Sequence, residues 1–116
     1  MKKKIAIIIV ATVLVVFFIF IILPKEEEEK ASESFARCLT EKGAKMYGTE
    51  WCSHCKAQKE KFGESFEFID YIDCDMNKDM CNVEKISGYP TWKIMGQSFP
   101  GGKTLEELSE LSGCTL

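Results

Sequence analysis

Two thiols sit one helical turn apart in Trp51-Cys52-Ser53-His54-Cys55-Lys56. At this C-x-x-C spacing a pair of cysteines can close a small disulfide ring. A short apolar stretch, Ala44 to Tyr47, precedes them and a run of helix formers follows, so Cys52 falls at a helix N-terminus. There the unpaired N–H groups and the partial positive charge of the helix favour the thiolate, the attacking form in thiol–disulfide exchange. The chemistry on offer is redox. The same spacing is half of many zinc sites, but the next cysteines, Cys74 and Cys81, have six residues between them and no nearby histidine. A copper-delivery module using Cys52, His54 and Cys55 is a further reading; the methionines Met46, Met76, Met80 and Met95 do not cluster in its support. No metal ligand set is therefore assigned.

The elements that must position this pair begin with an apolar run. Residues 5–23 carry one polar side chain, Thr12, and as a helix would cover roughly 28 Å, close to the thickness of a bilayer's hydrocarbon core. Lys2, Lys3 and Lys4 precede it, so residues 1–4 are expected to stay in the cytoplasm and the rest to lie on the other side. A cleaved signal has a shorter apolar core and a small-x-small site; here the run leads into Leu23-Pro24-Lys25, and an uncleaved signal anchor is expected. Residues 24–31, mostly Glu and Lys, read as a solvated linker. Residues 32–116 then form one domain with no repeat or second linker.

Without Lys2, Lys3 and Lys4, the 15 Lys and Arg fall to 12 against 18 Asp and Glu, a balance of −6 that argues against nucleic-acid binding. All six cysteines follow the anchor. That density suits an oxidising, extracytoplasmic location, periplasmic or extracellular. With Cys52 and Cys55 as the redox pair, the other four allow three pairings.

Along the domain, Phe35, Cys38 and Leu39 share one face of a predicted helix over residues 32–42, which Gly43 ends. Ala44 to Tyr47 is a short strand and Cys55 to Phe62 a helix stopped by Gly63. Phe66 to Asp73 is rich in aromatic and β-branched residues and reads as a second strand. Met80 to Ile86 is a short helix. Thr91 to Met95 and Gln97 to Phe99, parted by Gly96, read as a hairpin. Thr104 with Glu107 three residues on makes a capping box for a last helix whose buried face is Leu105, Leu108 and Leu111.

This order, with C-x-x-C at the first strand-to-helix junction, resembles the α/β thioredoxin-like fold: a central mixed sheet of about four strands flanked by helices, here after one transmembrane helix. The resemblance covers roughly residues 35–114 and rests on W-C-x-x-C-K, on G-Y-P-T-W at Gly88 to Trp92, and on G-x-x-x-x-G-G before the last helix. It implies a cis Tyr89-Pro90 bond facing the redox pair, which leaves the Tyr89 backbone to bind an extended peptide. More narrowly, K-M-Y-G-x-x-W-C-x-H-C-K, the Y-x-x-C of Tyr71 to Cys74 and the closing L-S-G-C are similar to the thioredoxin-like domain fused to, or paired with, bacterial vitamin K epoxide reductase homologues. Those membrane enzymes pass electrons from such a domain to quinone.

The resemblance implies Cys52 as exposed nucleophile and Cys55 as the buried thiol that resolves the mixed disulfide. His54 is placed to stabilise the Cys52 thiolate, as in oxidising Dsb proteins, although Ser53 stands where they have proline. Met46 occupies the place of the buried aspartate of reducing thioredoxins and cannot move a proton, which disfavours a dedicated reductase. Trp51 is expected to shield the disulfide, and Trp92 to join the core or the substrate groove. Glu50 and Lys56 read as solvated rim charges. Cys74 with Cys81 across a connecting loop, and Cys38 with Cys114 across the ends of the domain, are expected as structural disulfides; an electron relay through one of these pairs is the alternative.

The expected function is a membrane-anchored, monomeric thiol–disulfide oxidoreductase. It donates its disulfide to reduced exported proteins and is reoxidised by a separate vitamin K epoxide reductase-like enzyme. It holds no cofactor, the quinone being used only by that partner. The alternatives are a disulfide reductase or isomerase, for example in cytochrome maturation, and the copper module.

Overall fold

The computed structural model describes residues 1–23 and 29–116. Residues 24–28, which make up most of the expected linker, lie outside the described residues. The apolar run forms α1 (Lys2–Ile22), three residues longer at its start than the run itself, with every side chain exposed. It is the one helix among the described residues long and apolar enough to cross a membrane.

The remaining elements are α2 (Glu33–Glu41), β1 (Lys45–Gly48), α3 (Ser53–Phe62), a 3-10 turn (Gly63–Phe68), β2 (Asp70–Asp73), α4 (Lys78–Val83), β3 (Thr91–Ile94), β4 (Gln97–Pro100) and α5 (Leu105–Ser112). The four strands form one mixed sheet in the order β2-β1-β3-β4. Strands β1 and β2 are parallel, and α3 is the crossover such a pair requires; β3 runs antiparallel to both β1 and β4. This is the thioredoxin-like fold, with helices on a four-stranded mixed sheet. Ala31, ascribed by composition to the linker, is 5% exposed and its N–H donates to the Lys61 carbonyl at 2.9 Å, so the folded part begins there.

Strand alternation sorts the core onto two faces. Met46, Trp92 and Ile94 point to one side, where Phe35 and Leu39 of α2, Cys55 and Phe62 of α3 and Leu108 of α5 close over them. Phe62 is central: its ring lies 6.3 Å from Phe35 and 6.0 Å from Trp92, all three fully buried, and burying each contributes about 1.5–3 kcal/mol. Trp92 therefore belongs to the core. On the other face Tyr47 packs with Cys74 and Cys81. Helix ends follow the capping rules: Ser32 Oγ accepts the Phe35 N–H, and Thr104 and Glu107 exchange the two bonds of a capping box.

The strand expected over Phe66 to Asp73 exists only in its second half. Register explains this, because β1 is four residues long and its first residue, Lys45, pairs with Asp70. Residues before Asp70 have no neighbouring strand to bond with, so their main chain closes local 3-10 hydrogen bonds, ending with Ile69 N–H to the Phe66 carbonyl. Helix α4 begins two residues before the expected Met80, and α3 begins at Ser53 rather than Cys55.

Candidate active site

Strand β1 delivers the chain to the C-terminal edge of the sheet, and Thr49 to Trp51 turn it into α3. Cys52 is the N-cap of α3: its backbone is extended, and its Sγ accepts the Cys55 N–H at 3.1 Å. The first sulfur thus faces the free amides at a helix start, the surroundings that favour negative charge. Both cysteines are free thiols. Cys55 is wholly buried. Cys52, expected to be exposed, is only 7% exposed, because capping its own helix turns the sulfur inward toward the Cys55 amide. It remains the more accessible of the two.

The wall beside the thiols comes from the loop entering β3. Tyr89-Pro90 is a cis peptide and Pro90 is buried. Antiparallel register pairs Tyr47 with Thr91, which brings Pro90 to the level of Gly48, under the start of α3. Trp51 is 68% exposed; its ring stands edge-on to Tyr89 with centroids 6.0 Å apart, and its Nε1 donates to Asp75 at 2.7 Å. Trp51 and Tyr89 therefore make an aromatic rim next to Cys52. His54 is exposed and makes no side-chain hydrogen bond among the described residues. Met46 is fully buried, an apolar floor on the side of the sheet where Cys55 lies.

Behind Cys55 is a group of side chains that spacing alone had not assembled. Glu50, read as a solvated rim charge, accepts from Lys59 Nζ at 2.9 Å. Lys59 also lies 4.0 Å from the centroid of the Tyr71 ring. Burial pushes the Cys55 thiol up to about 11; its hydrogen bond and charge interaction with Cys52 add to this, while the Thr49 main chain and Lys59 oppose it. Burial likewise raises the Tyr71 phenol, helped by Glu50, Asp73 and the two thiols. One signal for Lys59 was available in the sequence: it is four residues after Cys55 in the same helix, which places it on the same face. Tyr71 gave no such signal, since its position opposite Met46 depends on parallel register.

The other four cysteines form two disulfides. Cys38 joins Cys114 with Cα atoms 5.9 Å apart, and Cys74 joins Cys81 at 5.7 Å. All four sulfur-bearing residues belong to or pack against the two hydrophobic clusters. Among the described residues no group of three or more His, Cys, Asp or Glu side chains is arranged to hold a metal ion.

Comparison with known proteins gives the same picture. The thioredoxin family model matches residues 31–112. Over 92 residues the chain is 40% identical to a protein of Arabidopsis thaliana called thiol-disulfide oxidoreductase LTO1, a match covering 72% of this chain and 24% of that protein. It is 36% identical over 85 residues to a probable protein disulfide-isomerase A6 of Medicago sativa, covering 60% of this chain and 23% of the relative. The solution structure of the first thioredoxin domain of mouse protein disulfide-isomerase A4 is similar with a TM-score of 0.42 and 23% identity, covering 75% of this chain and 76% of that domain. The chain spans about a quarter of the length of these two curated relatives. As the matched span takes in the sheet, both thiols and the cis-proline, the chain belongs to the thioredoxin family.

Proposed function

We propose that this chain is a membrane-anchored oxidoreductase that donates the Cys52–Cys55 disulfide to reduced exported proteins. The observation that carries the reading is the arrangement of the two sulfurs: Cys52 caps α3 at the aromatic rim while Cys55 is sealed behind it. A substrate thiolate attacks Cys52 Sγ, the Cys52–Cys55 bond breaks, and its electron pair leaves on Cys55 Sγ. A second substrate thiolate then attacks the substrate sulfur of the mixed disulfide and releases Cys52 as thiolate, so that two electrons end on the pair. His54, in the first turn of α3, supports the Cys52 thiolate. Trp51, Tyr89 and Pro90 receive the substrate as an extended segment beside the cysteines.

Helix α1 holds the domain at the membrane, with Lys2, Lys3 and Lys4 on the cytoplasmic side and the domain on the extracytoplasmic side, where substrates are oxidised. Reoxidation is assigned to a separate quinone-linked enzyme of the vitamin K epoxide reductase type, on the sequence resemblance alone. The two disulfides act as structural staples.

The reduction potential of the Cys52/Cys55 pair tests the direction of flow. Equilibrated in glutathione buffers, the full chain in detergent is expected between about −120 and −190 mV. A value near −270 mV would overturn the donor role and put a reductase first. Isomerisation is the second reading, favoured by the protein disulfide-isomerase relatives; it predicts that the reduced chain rescues a scrambled substrate as fast as the oxidised chain oxidises a reduced one.

A further inference from the structure

The Tyr71 hydroxyl is buried and has no hydrogen-bond partner among the described residues. Leaving such a group unpaired is costly, so its retention calls for a reason. Its ring is fixed by an edge-on contact with Phe66, centroids 5.6 Å apart, and by Lys59 over its face. A side chain begun at Gly48 would meet the Cys55 Sγ at 2.8 Å and the Tyr71 hydroxyl at 3.3 Å. Thiol and phenol therefore converge on the same patch of main chain, and only the missing Cβ of Gly48 leaves room for both.

This places a donor on the same side of the Gly48 main chain as a sulfur that must become an anion in a buried site. When a thiolate attacks Cys52, the electron pair of the broken bond arrives on Cys55, which is 0% exposed and shut off from water. A buried anion without a partner is strongly disfavoured. Met46, fully buried on this face, offers neither charge nor proton. We infer that the Tyr71 hydroxyl is the hydrogen-bond donor that receives the Cys55 thiolate as the disulfide breaks, with the Lys59 ammonium, paired to Glu50, holding positive charge over the same ring. The inference rests on the redox reading of Cys52 and Cys55.

The chemistry of the cluster is consistent. Burial and the surrounding negative groups, Glu50, Asp73 and the two thiols, hold the Tyr71 phenol protonated. It therefore serves as a donor and never as a base. Lys59, from α3, is the cation among the groups that act on the Cys55 sulfur. A neutral Cys55 thiol does not need the bond; it forms as charge develops on the sulfur, as hydrogen bonds at reacting centres do. Once the oxidised substrate has left, a proton given up by the substrate thiols neutralises Cys55, after which the phenol is unchanged.

The test uses the full chain in detergent. Tyr71→Phe removes one oxygen and keeps the ring on Phe66 and Lys59. In the wild-type oxidised chain, single-turnover oxidation of a short dithiol peptide sets the reference rate; Tyr71→Phe is expected to slow it about tenfold, the worth of a hydrogen bond to a charged group. In a Cys52→Ser background, the Cys55 titration is followed by NMR of isotopically labelled cysteine. Tyr71→Phe should raise its midpoint by about half a unit or more, a readout that a loss of packing alone would not give in that direction. Lys59→Gln leaves the phenol in place and serves as the second variant. A rise in both variants, or in Tyr71→Phe alone, supports the assignment. A rise confined to Lys59→Gln would give the stabilisation to the ammonium and overturn it, as would no rise in either. If the wild-type chain fails to oxidise the peptide, the donor reading falls while the titration still decides the role of Tyr71.

Discussion

The main chain of Gly48 passes directly beneath the Cys55 sulfur, so close that a Cβ on Gly48 would lie 2.8 Å from Sγ. The same Cβ would meet the Tyr71 ring at 3.2 Å, with the backbone of Cys55 held in α3 and that of Tyr71 in β2. Absence of a side chain, rather than backbone freedom, is what this glycine supplies.

Gly48→Ala is accordingly expected to destabilise the domain by about 1–3 kcal/mol, the usual cost of an extra carbon in a packed core. Urea unfolding of the reduced chain measures it. An unchanged midpoint would mean that α3 can lift off β1 without cost, against the packing described here.

The buried thiol gives stability a dependence on pH. Burial first, then Cys52, raises Cys55 from 9.0 to about 11. A group whose folded value lies above its unfolded value keeps its proton more tightly in the fold. Its contribution is therefore complete below about pH 9 and is lost as pH rises toward about 11. Relative to Cys55→Ala, the reduced chain should lose stability across that window and nowhere below it. A difference between the two urea midpoints that stays flat through the window would contradict the burial of this thiol.

Much of this site was legible in the sequence because it depends on short-range chemistry. Cys52 and Cys55 are three residues apart, Thr104 and Glu107 form their capping box within one turn, and the G-Y-P-T-W segment carries its own cis-proline. What depends on register was not legible. The Tyr71 hydroxyl reaches the Cys55 side of the sheet only because β2 runs parallel to β1 with Tyr71 opposite Met46. The overlong second strand has the same origin: aromatic content was read as pairing, but pairing stops where β1 does. The Glu50–Lys59 pair likewise arises from how α3 is seated, which no local pattern records.

His54 lies in the first turn of α3 but is exposed and makes no side-chain hydrogen bond among the described residues. Any influence on the Cys52 thiolate must then pass through solvent. His54→Ala is expected to make the pair more reducing by less than about 30 mV, a tenfold change in the exchange equilibrium. Redox titration of the variant beside the wild type checks this. A shift well beyond that size would place the imidazole in direct contact with the sulfur in one redox state.

The two disulfides should separate cleanly in what they do for the fold. Cys38–Cys114 ties α2 to the end of the chain across a separation of 76 residues, whereas Cys74–Cys81 spans only seven. On the chain-entropy account the long loop is worth about 4 kcal/mol and the short one about 2, because restraint of the unfolded chain grows with the logarithm of loop length. Cys38→Ala with Cys114→Ala should therefore lower unfolding free energy roughly twice as far as Cys74→Ala with Cys81→Ala, provided packing adjusts equally around each. The same variants ask whether either pair carries electrons. If both are staples, each double variant, studied below its unfolding temperature, oxidises a dithiol peptide in a single turnover at the wild-type rate, and reoxidation by an added small-molecule disulfide is unchanged. Loss of turnover with stability retained, above all for Cys74–Cys81, whose hydrophobic cluster packs against Tyr89, would instead make that pair a relay.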